Sequence, residues 1–260
     1  MLSPFDLERH EIKYLVPNEF AGQIREYLSH YMELDPYAVG RPGNQYTVRS
    51  IYFDTRRFDS YYNKLDGLKI RKRLRLRTYN EFREDTAAFL EIKRRYGNIV
   101  VKERAMLPLP EVEPFFADHS VPGIGVEKSL DRKRVIGKFA YNLTKGDLRP
   151  TALIAYEREA FVGLMDDQVR VTIDRNVRSI LFPELNELFH EDDLNTLIDR
   201  RFILEIKFDG YMPRWLRYLV ATLSIRAESI SKYCLGVGAW FGDQKPGFFK
   251  RHLVSISTRE

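Results

Sequence analysis

The chain has a single cysteine, Cys234. An intrachain disulfide is therefore impossible, and cysteine-rich zinc sites are excluded. With apolar Leu235 after it and no histidine nearby, Cys234 reads as a buried structural thiol. This cysteine usage points to a reducing, cytoplasmic setting. The five histidines (His10, His30, His119, His190 and His252) are scattered, without metal-ligand spacing. No run of 18 apolar residues occurs, so no transmembrane helix is expected. Met1 to Arg9 contains no apolar segment of the kind that signal peptides carry. There is no Gly-x-x-x-x-Gly-Lys-Ser/Thr and no Gly-x-Gly-x-x-Gly, which removes P-loop and dinucleotide-binding readings. Internal repeats and low-complexity segments are also missing.

What remains is a 260-residue chain, 44% hydrophobic and 30% charged, enough for a sizeable core. Tyr and Phe number 15 and 17, which favours sheet. The formal charge is only +5, yet one stretch, Lys69-Ile-Arg-Lys-Arg-Leu-Arg-Leu-Arg77, is densely basic. Side chains alternate across a strand. Lys69, Arg71, Arg73, Arg75 and Arg77 thus share one face, while Ile70, Leu74 and Leu76 share the other, with Lys72 as the exception. Like charges so arrayed call for an anion against them, or for screening by water.

Period-two patterning predicts eight strands: 8–15, 47–54, 69–77, 87–95, 99–105, 152–161, 169–174 and 202–208. Helices are expected from Asn18, over 56–65, 126–143 and 213–233. Residues 108–122 read as a proline-containing linker, and 175–201 as irregular or partly helical. One domain is expected over 1–241, followed by a basic tail over 242–260. The element Glu-Ile-Lys occurs three times, at 11–13, 91–93 and 205–207, each placing a carboxylate and an ammonium on one side of a strand.

Polar strand faces could simply face water. Eight strands tend to curl or close, however, and a closed sheet can carry its polar side chains inside. The fold expected is therefore α+β: an eight-stranded antiparallel β-barrel, or tunnel, with a polar basic lumen and helices packed outside. Such a lumen suits phosphate held by Arg and Lys, with Mg²⁺ or Mn²⁺ on carboxylate oxygens. It suits nucleophilic Ser or Cys chemistry poorly.

Eight segments in order carry a family resemblance: Arg9-His-Glu-Ile-Lys-Tyr14, Val48-Arg-Ser-Ile-Tyr-Phe-Asp-Thr55, Lys64-Leu-Asp-Gly67 with the basic strand after it, Leu90-Glu-Ile-Lys93, Tyr156-Glu-Arg158, Arg170-Val-Thr-Ile-Asp174, Leu204-Glu-Ile-Lys207 and Ser229-Ile-Ser-Lys-Tyr233. Together they resemble the catalytic domain of the vacuolar transporter chaperone (VTC) polyphosphate polymerases, within the triphosphate tunnel metalloenzymes. The resemblance implies an eight-stranded tunnel. It also implies Lys13, Arg75, Arg77, Lys93, Arg158 and Arg170 as lining cations, Lys232 as a phosphate contact from the last helix, and Glu205 as the metal ligand. Arg71, Arg73, Lys207, Glu11 and Glu91 are further substrate-binding candidates. Hydrolase and cyclase branches of that superfamily begin Glu-x-Glu-x-Lys. Here Arg9 stands in place of the first Glu, which agrees with the polymerase branch. The eukaryotic polymerases also carry regulatory and membrane domains not seen in this sequence, which leaves association with a membrane partner protein open.

The expected activity is transfer of the γ-phosphate of ATP, or another nucleoside triphosphate, onto inorganic polyphosphate or pyrophosphate with Mn²⁺ or Mg²⁺. A metal-dependent inorganic or nucleoside triphosphatase is the alternative within the same tunnel. A non-catalytic polyanion binder is the third reading. Nucleic acid is not expected as a partner, because the basic strand interleaves Ile and Leu rather than aromatic residues that stack on bases.

Overall fold

The computed structural model describes residues 9–97, 99–118 and 130–242. The elements run in the order β1 (Arg9–Pro17), α1 (Ala21–Ser29), β2 (Met32–Leu34), β3 (Tyr46–Asp54), α2 (Asp59–Leu65), β4 (Ile70–Tyr79), β5 (Ala87–Tyr96), β6 (Ile99–Pro108), α3 (Val112–Asp118), α4 (Leu130–Gly146), β7 (Arg149–Gly163), β8 (Arg170–Leu181), β9 (Asn195–Thr196), β10 (Arg201–Asp209), α5 (Arg214–Thr222) and α6 (Lys232–Gly242). Eight strands form one antiparallel path, β1-β10-β8-β7-β3-β4-β5-β6; the short β2 and β9 attach to β7 and β8.

The path is curled. Glu11 on β1 lies 3.2 Å from Lys93 on β5, although five strands stand between them in the path. At about 4.8 Å per strand, a flat sheet would hold them nearly 30 Å apart. The end strands β1 and β6 do not pair, so the sheet is a half-barrel. The edge of β1 is met instead by the chain after α5. Tyr14 bridges Ala227, and the Glu228 N–H donates to the Lys13 carbonyl at 2.8 Å.

Alternation sorts the side chains as the sequence suggests. On the convex face, Ile12, Tyr14, Leu204 and Ile206 pack with α1 and α5. Leu74, Leu76, Leu90 and Ile92 pack with α3 and α4. Lys72, the exception to the alternation, faces outward and donates to Asn142 on α4. A third cluster fills part of the concave side. There α6 brings Tyr233, Cys234 and Val237 against Val48, Ile154, Val177 and Ile203. Close approach demands glycine at Gly236, where a Cβ would lie 2.8 Å from Ile154 Cδ1.

Several boundaries differ from expectation, each for a physical reason. β8 runs on to Leu181 rather than ending at Asp174. Asn176 takes φ 47° and the β7–β8 register shifts there, so inward residues change from 172 and 174 to 177 and 179, and the alternation is lost to a period-two reading. The expected helix 213–233 is helical over Arg214–Thr222, as α5, and α6 starts only at Lys232 and runs on to Gly242. Ser224, at φ 51°, breaks it, and the chain between them spends its backbone on β1. Residues 108–122 include α3, whose Phe115 is fully buried. The expected helix 126–143 is observed from Leu130 to Gly146; its first residues, and all of the tail but Gly242, lie outside the described residues.

Candidate functional site

The concave side encloses a cavity of about 360 Å³, lined by twelve cationic side chains and four carboxylates. Strands β1, β4, β5, β7 and β10 each supply inward residues, and the segment 228–232 enters from the start of α6.

Within it, each carboxylate on a strand is held by two or more cations. Glu205 on β10 is 2.5 Å from Lys207 and 3.4 Å from Lys13. Lys13 also reaches Glu11 at 2.5 Å. On β5, Glu91 accepts from Arg75 Nε at 2.6 Å, and Lys102 and Arg104 of β6 stand 2.6 and 3.4 Å from it. Beside the cavity, Asp174 of β8 accepts two hydrogen bonds from Arg158, at 2.6 and 2.7 Å, and one from Lys232 at 2.5 Å.

Charge decides the ionisation. Burial alone would raise the Glu11 carboxyl, and Glu205 pushes the same way, but Lys13, Lys93 and Lys207 outweigh both and hold it at about 2. Burial acts likewise on Glu205, and Lys207, Lys13, Arg158 and Lys232 overcome it and hold its carboxyl well below the usual range. Glu91 is depressed against its burial by Arg75, Arg77 and Lys102. Tyr52 on β3 is buried, which raises a phenol, yet Arg75, Arg77 and Lys232 bring it down to about 8. The Tyr52 hydroxyl accepts from Arg75 Nη1 at 3.0 Å. The ring of Tyr156 lies 4.4 Å from Lys232 Nζ and 5.2 Å from the Arg158 guanidinium.

In a second stretch, no ion pair among the described residues engages Lys64, Arg71, Arg73 or Arg95. Arg71 and Arg95 are direct cross-strand partners, as are Arg73 and Lys93. Arg73 donates to Ser231 Oγ at 2.9 Å, Lys64 to Ser229 Oγ, and Arg95 to the Gly97 carbonyl. Burial, Arg95 and Arg73 all lower the Arg71 pKa. Like charges directly opposite destabilise a sheet, so this stretch is preset for an anion.

Of the residues singled out from sequence, Glu11, Lys13, Arg71, Arg73, Arg75, Arg77, Glu91, Lys93, Arg158, Glu205, Lys207 and Lys232 meet in this cavity. Arg170 does not. It opens β8 opposite Lys207, half exposed, with its guanidinium 3.7 Å from Asp35. Sequence reasoning missed Lys64, Arg95, Tyr52 and Tyr156. Arg95 shares the strand parity of Lys93, a usable signal. Lys64 sits on α2, and only the fold brings it in. A further missed element anchors α6. Asp54 is fully buried, accepts the N–H groups of Ser60 and Tyr61, and accepts the Tyr233 hydroxyl at 2.5 Å.

The donor set fits a hard divalent cation held jointly with substrate. Glu11 and Glu205 both touch Lys13, so their oxygens lie close together. Among the described residues, no group of three or more His, Cys, Asp or Glu could hold a metal by itself. Phosphate oxygens and water would complete the coordination, as Mg²⁺ commonly requires.

No curated protein matches the sequence. One similar solved structure is described as a putative adenylyl cyclase from Hippeastrum with a dominant triphosphatase activity; it is 16% identical, with a TM-score of 0.49 over 88% of this chain and 95% of that chain. Another, the hypothetical protein NE1496, is 14% identical, with a TM-score of 0.27 over 80% of this chain and 85% of that chain. Both superpositions are too loose to bear on the chemistry. The VTC domain matches residues 8–241, nearly the whole described structure. The chain belongs to the VTC domain family.

Proposed function

We propose that the lumen transfers the γ-phosphate of ATP, or of another nucleoside triphosphate, onto the end of an inorganic polyphosphate chain. The triphosphate tunnel metalloenzymes, which the sequence resembles, act on triphosphates, and the cationic lumen suits that substrate class. One observation favours polymerisation over hydrolysis. The cationic lining continues past the carboxylates into the uncompensated stretch Lys64, Arg71, Arg73 and Arg95, and Arg9 lines the cavity where hydrolase branches carry a glutamate. A chain of phosphates fills such a lining better than a single triphosphate does.

The protein's share of the work is positioning and charge. Arg158 and Lys232 are fixed by Asp174, Arg75 by Glu91, and Lys13 and Lys207 by Glu205. Cations held in place before substrate arrives need little rearrangement as charge develops on the transferred group. Mg²⁺ or Mn²⁺ on Glu205 and Glu11, when bound, would offset charge on the triphosphate oxygens. A terminal phosphate is already ionised near neutral pH, so no histidine base is required. Lys93, whose pKa is lowered by burial and by Lys13 and Lys207 against the pull of Glu11, gains a partner when phosphate binds. Arg170 lies apart and is assigned an outer contact at most.

Purified protein incubated with ATP and Mn²⁺ should build long phosphate chains. Orthophosphate as the sole product would overturn this reading in favour of a triphosphatase. Tight binding of polyphosphate with no turnover under any divalent metal would leave only a polyanion-binding module.

A further inference from the structure

One end of the sheet carries apolar residues that no helix covers. On the convex face Leu74 and Leu76 are fully buried under the helices. Two residues earlier on the same face as Lys72, Ile70 is 70% exposed. The ladder puts Ile70 opposite Tyr96, and Tyr96 opposite Ile99. Tyr96 and Ile99 are 48% and 58% exposed, and Val101, on the same face one pair further in, is also exposed. Three neighbouring strand ends thus form one projecting apolar row. Exposed apolar groups that cluster in this way mark interaction sites.

The same lip is cationic on its other side. Arg71 and Arg95 pair directly behind the row, and exposed Lys69 precedes it. Among the described residues, no ion pair engages any of these three. We propose that this lip seats the protein on an anionic bilayer surface. The apolar tips Ile70, Tyr96 and Ile99 enter the headgroup boundary, and the neighbouring cations meet lipid phosphates. Apolar and aromatic side chains flanked by Lys and Arg match an interfacial anchor. The row comprises four exposed apolar side chains, Ile70, Tyr96, Ile99 and Val101, against the roughly 20–30 residues a side of a standard protein interface. Seated in this way, the uncompensated mouth of the lumen faces the membrane. The apolar anchors Ile70, Tyr96 and Ile99 lie outside the lumen lining, whereas Arg71 and Arg95 are shared with it.

The test is co-sedimentation of the whole chain with phosphatidylglycerol–phosphatidylcholine vesicles and with pure phosphatidylcholine vesicles. Binding to the anionic vesicles alone is expected, and it should persist when the lumen is saturated with tripolyphosphate. An Ile70→Ser, Ile99→Ser double variant should bind at least tenfold more weakly, with unchanged melting temperature and tripolyphosphate affinity. Three results would each overturn the proposal: no binding by the wild-type protein, abolition of binding by tripolyphosphate, or equal binding by the double variant. Abolition by tripolyphosphate would mean that the lumen, rather than the lip, reads the headgroups.

Discussion

The two stretches of the lumen solve opposite problems with the same residue types. Around Glu205, Asp174 and Glu91 every carboxylate is matched by cations, and the arrangement is self-sufficient. Around Arg71, Arg73 and Arg95 cations face cations, relieved by neutral groups: hydroxyls, a carbonyl, the Cys234 thiol and the Tyr233 ring. The first stretch holds side chains in place and so serves geometry. The second stores repulsion that a polyanion relieves, and so serves affinity. Removing a cation should therefore have opposite consequences for stability in the two places.

The largest effect is expected from Arg158→Ala. It leaves Asp174, which is fully buried, with Lys232 alone. Breaking a buried pair costs about 3–5 kcal/mol, so the melting temperature should drop sharply and transfer activity vanish. An unchanged melting temperature would contradict the compensated reading.

Acid should attack the same stretch next. The Glu11, Glu205 and Glu91 carboxyls are all depressed in the folded state. Their contribution to stability is full above the unfolded pKa of about 4.3. It is lost as pH falls from there through the folded values, about 2 for Glu11. Denaturant titrations between pH 6 and pH 2 should show a steep decline. In Glu205→Gln, which removes one of these groups, the decline should be shallower and activity with metal should be lost.

In the uncompensated stretch, the double change Arg71→Ala, Arg95→Ala should stabilise the empty protein by about 0.5 kcal/mol, the order of a cross-strand like-charge pair. The same change should weaken polyphosphate binding and flatten its salt dependence. Thermal melts and a binding isotherm at two salt concentrations check both halves. Destabilisation by this pair would erase the contrast.

The smallest effect is optical. Tyr52 should ionise near pH 8, visible as phenolate absorbance missing from Tyr52→Phe. Tripolyphosphate, by offsetting Arg75 and Arg77, should move that midpoint upward. A midpoint unmoved by ligand would place the anion away from those arginines.

Strand parity is local, and it was legible. The inward set on β4 and β5, the outward set under the helices and the three Glu-Ile-Lys elements all follow from a period of two. That period also supplied the eight strands and, through their number, the curl. Arg170 shows the limit. Its parity matches Asp174, but its distance from the cavity is set by where β8 begins, not by which way it points. Lys72 shows it too, since its partner Asn142 lies on a helix 70 residues away.

By itself, then, the sequence determined which face of each strand is charged and which is apolar, because alternation is built into the extended backbone. Tertiary structure alone decided which charges are paired. Asp174 meets Lys232 only because Tyr233 ties α6 to Asp54. Lys64 reaches the lumen only because α2 closes over it. The inward face of β8 changes parity at Asn176 because a bulge there answers to β7. Compensation is a property of distances between strands that no single strand encodes. It separates the part of the lumen that holds its own shape from the part that awaits an anion.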